Sequence, residues 1–291
     1  MKKKATYLLT IPIALAICAC AQQKPLATVL PTVSSTPKQE SNFTLIKTIK
    51  GNFSYLNVDV LDNIYVITSS NQLKKINANG DSAGIFNDVK QFGNPSLIDV
   101  NNPLKILVYY KNFSTVVILD RFLTFRSSIN FRKTNIFKVN CITTAYDNNI
   151  WIFNEQDFTL TKINDDGTVI SKTNDFRQIF DKAPTPSTMY DNEGYIYLYD
   201  PVEGFFIFDY YGSLKNSYPF LNWTNIAITN NYLYGFTNNT IQTYTLRTLT
   251  THSYTLPAYL AMYKSIKAIN GKLYLLKDTG IEIYKINIEA P

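Results

Sequence analysis

A short apolar segment recurs six times along the chain, and this repeat constrains the fold more than any other feature. The copy at Asn149–Phe153 reads Asn-Ile-Trp-Ile-Phe. Successive copies are 42, 44, 46, 37 and 40 residues apart when measured between one marker residue in each: Ile64, Ile106, Ile150, Ile196, Leu233 and Leu273. A near-constant period of this length indicates repeated structural units that share a core with their neighbours.

Each unit reads as several short strands joined by turns. A polar loop and a second strand follow the apolar segment, as at Leu160–Ile163, and a turn comes next, as at Asn79–Gly80 or Asp166–Gly167. Asn and Asp bond their own backbone in such turns, and Gly accepts a positive φ. The segments are apolar on both faces, which is typical of strands covered by a neighbour on each side. The period matches a four-stranded propeller blade.

The two ends of the repeat complement each other. The sixth unit ends after its third strand, near Asn287, whereas Phe43–Ile49 precedes the first unit as an extra strand. An open ring would leave unpaired sheet edges, and the N-terminal strand can supply the missing one. The sequence therefore predicts an all-β, six-bladed β-propeller over residues 43–291, with the last blade closed by the N-terminal strand.

The N-terminal residues predict export and lipidation. Lys2, Lys3 and Lys4 precede an apolar run that ends at Cys20 and is too short to span a membrane, so residues 1–19 are predicted to be a signal peptide. The end of the run resembles a bacterial lipobox, because small Ala19 precedes Cys20. Cys20 is the predicted lipid anchor. The alternative is an ordinary cleaved signal with incidental cysteines.

Residues 20–42 are predicted to form the lipidated cysteine and a flexible tether rich in Pro, Thr, Ser and Gln. Ala21 follows the anchor, so no Asp argues for retention at an inner membrane, and no acidic cluster resembles a surface-export tag. These features favour a lipoprotein of the outer membrane that faces the periplasm.

Composition excludes several classes of function. His252 is the only histidine, which excludes His-rich metal sites and any Ser-His-Asp triad without it. The formal charge of +6 rests on 28 basic and 22 acidic residues. Half of that excess comes from the three lysines of the signal, so no nucleic-acid partner is expected. Cys141 is the only cysteine of the propeller and is predicted to be a buried small residue. No cofactor is predicted, and a monomeric domain is expected.

The repeat resembles the NHL-type propeller repeat. Asp62–Val66 with Asn79–Gly80, and Asn149–Trp151 with Asp166–Gly167, carry the resemblance. The usual Gly before Asn is missing, and Lys75 and Lys162 stand where the family has Arg. The whole chain also looks like the uncharacterised propeller lipoproteins of Bacteroidetes. The resemblance implies the fold and an envelope location, and it carries no catalytic residues.

Candidate binding residues lie in two sets of loops that commonly form the ligand-binding face of propellers. The loops between second and third strands carry Glu155, Asp157 and Asp200, which could hold Ca²⁺ or act as acid and base, or could simply be solvated. The blade-to-blade connectors carry aromatic residues, among them Phe137 and Trp223. Such residues either bind a partner or fill the groove between blades.

Grooves need filling throughout the repeat, so this second role is favoured for the connector aromatics except Trp223. Trp223 follows a turn-like Pro219 and is expected to point outward. Basic residues of two neighbouring connectors could form a positive patch: Arg132, Lys133, Lys138 and Arg177.

These observations favour a lipid-anchored, non-catalytic scaffold that binds another envelope protein. The alternative is a protein that binds a small molecule or glycan, or a lactonase-like metal-dependent hydrolase acting at the central channel. Polar side chains converging on the channel from several blades would favour the alternative, and an apolar channel would favour the scaffold.

Overall fold

The structure, a computed structural model, describes residues 42–87 and 89–287, and nearly all of the regular secondary structure in this part is β-strand. The predicted signal peptide at residues 1–19, Cys20 and nearly all of the predicted tether lie outside the described residues. The strands are β1 (Phe43–Lys50), β2 (Phe53–Val58), β3 (Ile64–Thr68), β4 (Leu73–Ile76), β5 (Ser82–Phe86), β6 (Leu97–Asp99), β7 (Lys105–Tyr110), β8 (Thr115–Asp120), β9 (Phe125–Asn130), β10 (Val139–Thr144), β11 (Ile150–Asn154), β12 (Thr159–Ile163), β13 (Val169–Lys172), β14 (Thr188–Asn192), β15 (Tyr195–Asp200), β16 (Gly204–Asp209), β17 (Leu214–Tyr218), β18 (Thr224–Ile228), β19 (Tyr232–Thr237), β20 (Thr240–Thr245), β21 (Thr250–Thr255), β22 (Ser265–Ile269), β23 (Lys272–Lys277) and β24 (Gly280–Ile286).

The helical segments of the described chain are short. They are α1 (Val89–Phe92) and four 3₁₀ turns: Lys111–Phe113, Phe131–Thr134, Phe176–Gln178 and Ala258–Leu260. All of them lie in connections between strands. Within residues 42–87 and 89–287, no helix has the length and apolar character needed to cross a membrane.

Six antiparallel four-stranded sheets form the blades of a propeller. Five blades take four consecutive strands each, from β2–β5 to β18–β21, and the sixth has the order β22-β23-β24-β1. β1 pairs with β24 from Phe43 opposite Ile286 to Lys50 opposite Gly280. The predictions of an all-β six-bladed propeller and of closure by the N-terminal strand are confirmed.

The core lies between adjacent blades, which explains why the second strand of each blade is apolar on both faces. All six residues of β7 are buried. Ile106 and Val108 pack with Tyr65 of the first blade, whereas Leu107 and Tyr109 pack with residues of the third. Alternate side chains of one strand therefore fill two different interfaces.

The turns between third and fourth strands, among them the predicted Asp166–Gly167 turn, are closed by side-chain hydrogen bonds. Asn164 Oδ1 accepts from Thr168 N at 2.8 Å, and Asp209 Oδ1 accepts from Ser213 N at 2.9 Å. Gly167 and Gly212 have φ of 90° and 87°, values that favour glycine. Cys141 is fully buried, as predicted, and His252 lies in β21, an outermost strand.

Candidate functional site

The innermost strands of all six blades line a central channel with a cavity of about 460 Å³. Most of the residues that line it are polar, in contrast to the apolar interfaces between blades. One lining residue from each blade, in chain order, is Tyr55, Asp99, Ile142, Tyr190, Asn225 and Lys267. A cavity of this size with convergent polar groups is a candidate ligand site.

Lys267 places an ammonium group inside this channel. It is the third residue of β22 and is 8% exposed. Its Nζ donates a hydrogen bond to the carbonyl oxygen of Ile226, which also accepts from the Tyr190 hydroxyl at 2.6 Å. Ile226 lies where the register of β18 shifts, next to Asn225 with φ of 51°. Burial lowers the pKa of Lys267 to about 8.

Asp99 contributes a carboxylate from the second blade, and both of its oxygens accept hydrogen bonds from the protein. Its Oδ2 accepts from Thr144 N at 2.8 Å and from Thr144 Oγ1 at 3.2 Å, while Oδ1 accepts from Asn101 N at 3.3 Å. Burial raises the pKa of Asp99 to about 6, and these hydrogen bonds oppose the rise. Asp99 is therefore mainly ionised at neutral pH.

Two further polar side chains come from the first blade. The Tyr55 hydroxyl donates to Ile98 O at 3.3 Å, and Asn57 Nδ2 donates to the same oxygen at 3.1 Å. Burial raises the pKa of Tyr55 and of Tyr190 well above the usual tyrosine range. Both phenols therefore stay neutral at physiological pH and act as hydrogen-bonding groups.

The channel walls present hydroxyl, amide, carboxylate and ammonium groups to the cavity. Among residues 42–87 and 89–287, no group of three or more His, Cys, Asp or Glu side chains is placed to hold a metal ion. Asp99 already receives hydrogen bonds on both oxygens, so its role is to hold the second and third blades together at the channel wall.

The structure corrects the expectation for Trp223. Its side chain is only 3% exposed and lies between the fourth and fifth blades. The ring stacks on Phe220 at 4.5 Å between centroids, and Nε1 donates to Gln242 Oε1 at 2.6 Å. The predicted outward orientation is wrong, because Gly235 in β19 has no side chain and leaves space for the indole between the blades.

Each predicted acidic residue has a partner in another segment of its own blade or of the adjoining connector. Asp200 is 2% exposed and accepts from Thr185 N at 2.8 Å, so it anchors a connector. Glu155 pairs with Lys138 at 3.0 Å. Asp157 pairs with Lys172 at 2.6 Å. These three carboxylates form no common site among the described residues.

The predicted basic residues divide into paired and unpaired ones. Arg177 is bound by Asp175 at 2.5 Å, and this arginine lowers the pKa of that carboxyl group. Arg132 and Lys133 are exposed, and neither pairs with a carboxylate of the described chain; Arg132 Nε donates to Ser114 Oγ at 3.2 Å. Phe137, five residues after Arg132, is 56% exposed.

Sequence reasoning missed the charged residues of the channel. Asp99 follows Leu97 and Ile98, and Lys267 follows Ile266, so each charge interrupts a short apolar strand. A charge inside such a strand is unusual because buried charges need compensation. That interruption, at the first strand of a unit, is the signal that would have identified both residues.

A second polar cluster joins the third and fourth blades and takes its residues from β11, β12 and β14 and from the turns after β10 and β16. Asp191 accepts from Trp151 Nε1 at 3.2 Å and from the Tyr210 hydroxyl at 2.7 Å. Lys162 Nζ lies 4.9 Å from the centroid of the Trp151 ring and pairs with Asp147 at 2.8 Å. Each charge has a partner within the cluster, which fits a structural role.

Comparison with known proteins supports the fold. No protein-family model matches the sequence, and no curated protein does. Among solved structures, the WD40 domain of Neurospora crassa Pan2 matches with a TM-score of 0.57 and 9% identity, covering 85% of this chain and 96% of that one. The chain is a six-bladed β-propeller.

Two bacterial structures match the propeller to a similar extent. Virginiamycin B lyase from Staphylococcus aureus has a TM-score of 0.53 and 14% identity, covering 85% of this chain and 90% of the lyase. A protein of Bacteroides fragilis whose name describes it as exported has a TM-score of 0.53 and 12% identity, covering 85% and 92%. Identities this low show the fold alone.

Proposed function

We propose that this chain is a lipid-anchored, non-catalytic binding protein of the cell envelope. The location is supported by the signal-like residues 1–19, by Ala19 before Cys20, and by the likeness to a Bacteroides fragilis protein described as exported. An outer-membrane anchor that faces the periplasm is part of this proposal.

The polar central channel is the observation that carries a binding function. All six blades contribute to a cavity of about 460 Å³, and its walls present hydroxyl, amide, carboxylate and ammonium groups. A channel with no function is more stable when filled with apolar side chains, because each buried polar group needs a partner. The retained polar lining therefore favours a small polar ligand in the channel.

Catalysis is the less supported function. A variant of virginiamycin B lyase with a histidine replaced by alanine is catalytically inactive. The single histidine of this chain, His252, lies in the outermost strand β21 opposite Thr243 and therefore away from the channel. The metal-dependent alternative has no carboxylate cluster to support it in the described part of the chain.

The channel function is tested by ligand binding to the full lipoprotein in non-ionic detergent. A panel of neutral and charged polar metabolites is screened by thermal shift, and the compounds that bind are titrated by calorimetry. Asn57→Leu keeps the branching of the side chain and removes a polar lining group, so it should weaken binding of a channel ligand. An absence of binding across the panel, or equal binding by Asn57→Leu, would contradict a channel site.

A second candidate is the scaffold that binds another envelope protein. Phe137 is 56% exposed in the connector that also carries the exposed Arg132 and Lys133. A connector that presents an exposed aromatic ring and two cations fits an acidic partner surface with an apolar pocket, and aromatic and Arg residues dominate interface hot spots.

The scaffold role is tested by cross-linking in envelopes followed by capture of the lipoprotein. Phe137→Ala should reduce capture of a specific acidic envelope protein. Phe125→Ala is the matched control, because Phe125 is 51% exposed on the outer strand β9. Equal loss in both variants would indicate nonspecific adhesion instead of a connector-face partner.

A further inference from the structure

We propose that the ligand of the central channel is a small anion and that Lys267 supplies its counter-charge. This inference rests on the proposed channel function and adds the chemical class of the ligand. It is carried by the difference between the two buried charges of the channel, Lys267 and Asp99.

The carboxylate of Asp99 is compensated within the protein. It receives hydrogen bonds on both oxygens from Thr144 and Asn101. Hydrogen bonds from backbone N–H groups stabilise a buried carboxylate in its ionised form without a cationic partner. Asp99 therefore has little need of an external cation.

The ammonium of Lys267 is not compensated in the same way. In the described chain, its Nζ contacts one acceptor, the neutral carbonyl oxygen of Ile226, and no carboxylate lies within ion-pair distance. An ammonium group carries three donors, so two N–H groups remain for a ligand. The Asp99 carboxylate acts on this ammonium only from beyond ion-pair distance. A charge that is nine-tenths buried and directly contacts only a neutral oxygen is costly, and an anion in the cavity would offset this cost.

A second lysine of the same cavity provides an internal comparison. Lys264 lies at the start of the sixth blade's first strand, three residues before Lys267, and lines the cavity as well. Its Nζ pairs with Asp278 at 2.9 Å, and its side chain is 44% exposed. The charge of Lys264 is therefore paired with a carboxylate at the solvent-exposed end of the cavity. Lys267 is the cation available to a ligand inside the channel.

Neighbouring channel groups set the pH response of this site. The titratable groups that face Lys267 across the channel are Asp99, Tyr55 and Tyr190, and both tyrosines remain neutral below pH 10. The pKa of Lys267 is lowered to about 8, so the ammonium form is lost as the pH rises through that value. Anion affinity should therefore fall above pH 8.

The test is calorimetric titration of the full lipoprotein in non-ionic detergent with succinate, citrate and inorganic phosphate. The three probes separate carboxylate from phosphate recognition. At pH 7, Lys267→Met should weaken binding of the preferred anion by at least about tenfold, a loss of roughly 1.4 kcal/mol. The control Lys285→Met should change affinity by less than about threefold, since Lys285 is exposed on β24 and does not line the cavity.

The outcomes separate this inference from the function on which it rests. Binding of anions that is equal in wild type and Lys267→Met overturns the inference. The inference is also overturned if the protein binds only neutral metabolites and Asn57→Leu weakens that binding. In that case the proposed channel function still stands. If no compound of either kind binds, both proposals fail. Cooperative melting of each variant, followed by circular dichroism, establishes that a loss of binding is not a loss of folding.

Discussion

Replacing Trp223 by alanine should destabilise the propeller strongly. The side chain is 3% exposed, and its ring stacks on Phe220 and meets Phe205 edge-on at 5.8 Å. Truncating a buried Trp to Ala costs about 3–5 kcal/mol. The lost ring pairs add about 0.5–1.5 kcal/mol each in favourable geometry. Part of this is recovered if the groove collapses, so we expect a loss of about 4 kcal/mol in the free energy of unfolding.

Equilibrium unfolding in urea, followed by far-ultraviolet circular dichroism, measures this loss. Trp223→Phe is the control, because it keeps an aromatic ring on Phe220 and removes the hydrogen bond to Gln242. It should cost about 1–2 kcal/mol, part in lost volume and part in the unpaired amide. A loss below about 1 kcal/mol for Trp223→Ala would show that the indole is not packed between the blades.

Gly235 offers a second, sharper test of the same packing. A Cβ at this position would lie 2.2 Å from Cε3 of Trp223, closer than any real contact. Gly235→Ala should therefore be severely destabilising in the wild type and much less so together with Trp223→Ala, giving a coupling of about 1–3 kcal/mol in a double-mutant cycle. Additive losses would contradict the contact between the glycine and the indole.

Three further predictions concern the ends of the chain and the channel. A chain that begins at Gly51 lacks β1 and exposes the edge of β24, so it should aggregate or melt well below a chain that begins at Ser41; equal melting temperatures would contradict closure. Fatty-acid labelling should be lost in Cys20→Ser and kept in Cys18→Ser, and the reverse result would move the lipid anchor. The pKa of Lys267 is about 8 in the folded state against 10.5 in an unfolded chain, so the unfolded state binds more protons between these values. The free energy of unfolding of the wild type should therefore rise by up to about 3 kcal/mol across this pH window, relative to that of Lys267→Met. If the unfolding free energies of the two proteins change in parallel with pH, the pKa of Lys267 is not lowered by burial.

The sequence by itself determined the number of blades and their closure. Both follow from local properties: the apolar segments must be covered on two faces, and the Asn-Gly and Asp-Gly turns can close only short hairpins. The unmatched strand at Phe43–Ile49 then has one available edge, and it pairs there with β24. Cys141 was predictable for the same reason, because it lies inside an apolar strand.

Only the tertiary structure decided which side chains meet. Asp99 and Lys267 belong to the second and sixth blades, and the circular arrangement of the blades brings them to one channel. Their separation along the chain carries no information about that meeting. The direction of Trp223 was likewise undetermined by its own turn, since the space it fills is created by Gly235 on another strand. A repeat determines the architecture through local periodicity, whereas a site depends on contacts between residues far apart in the chain.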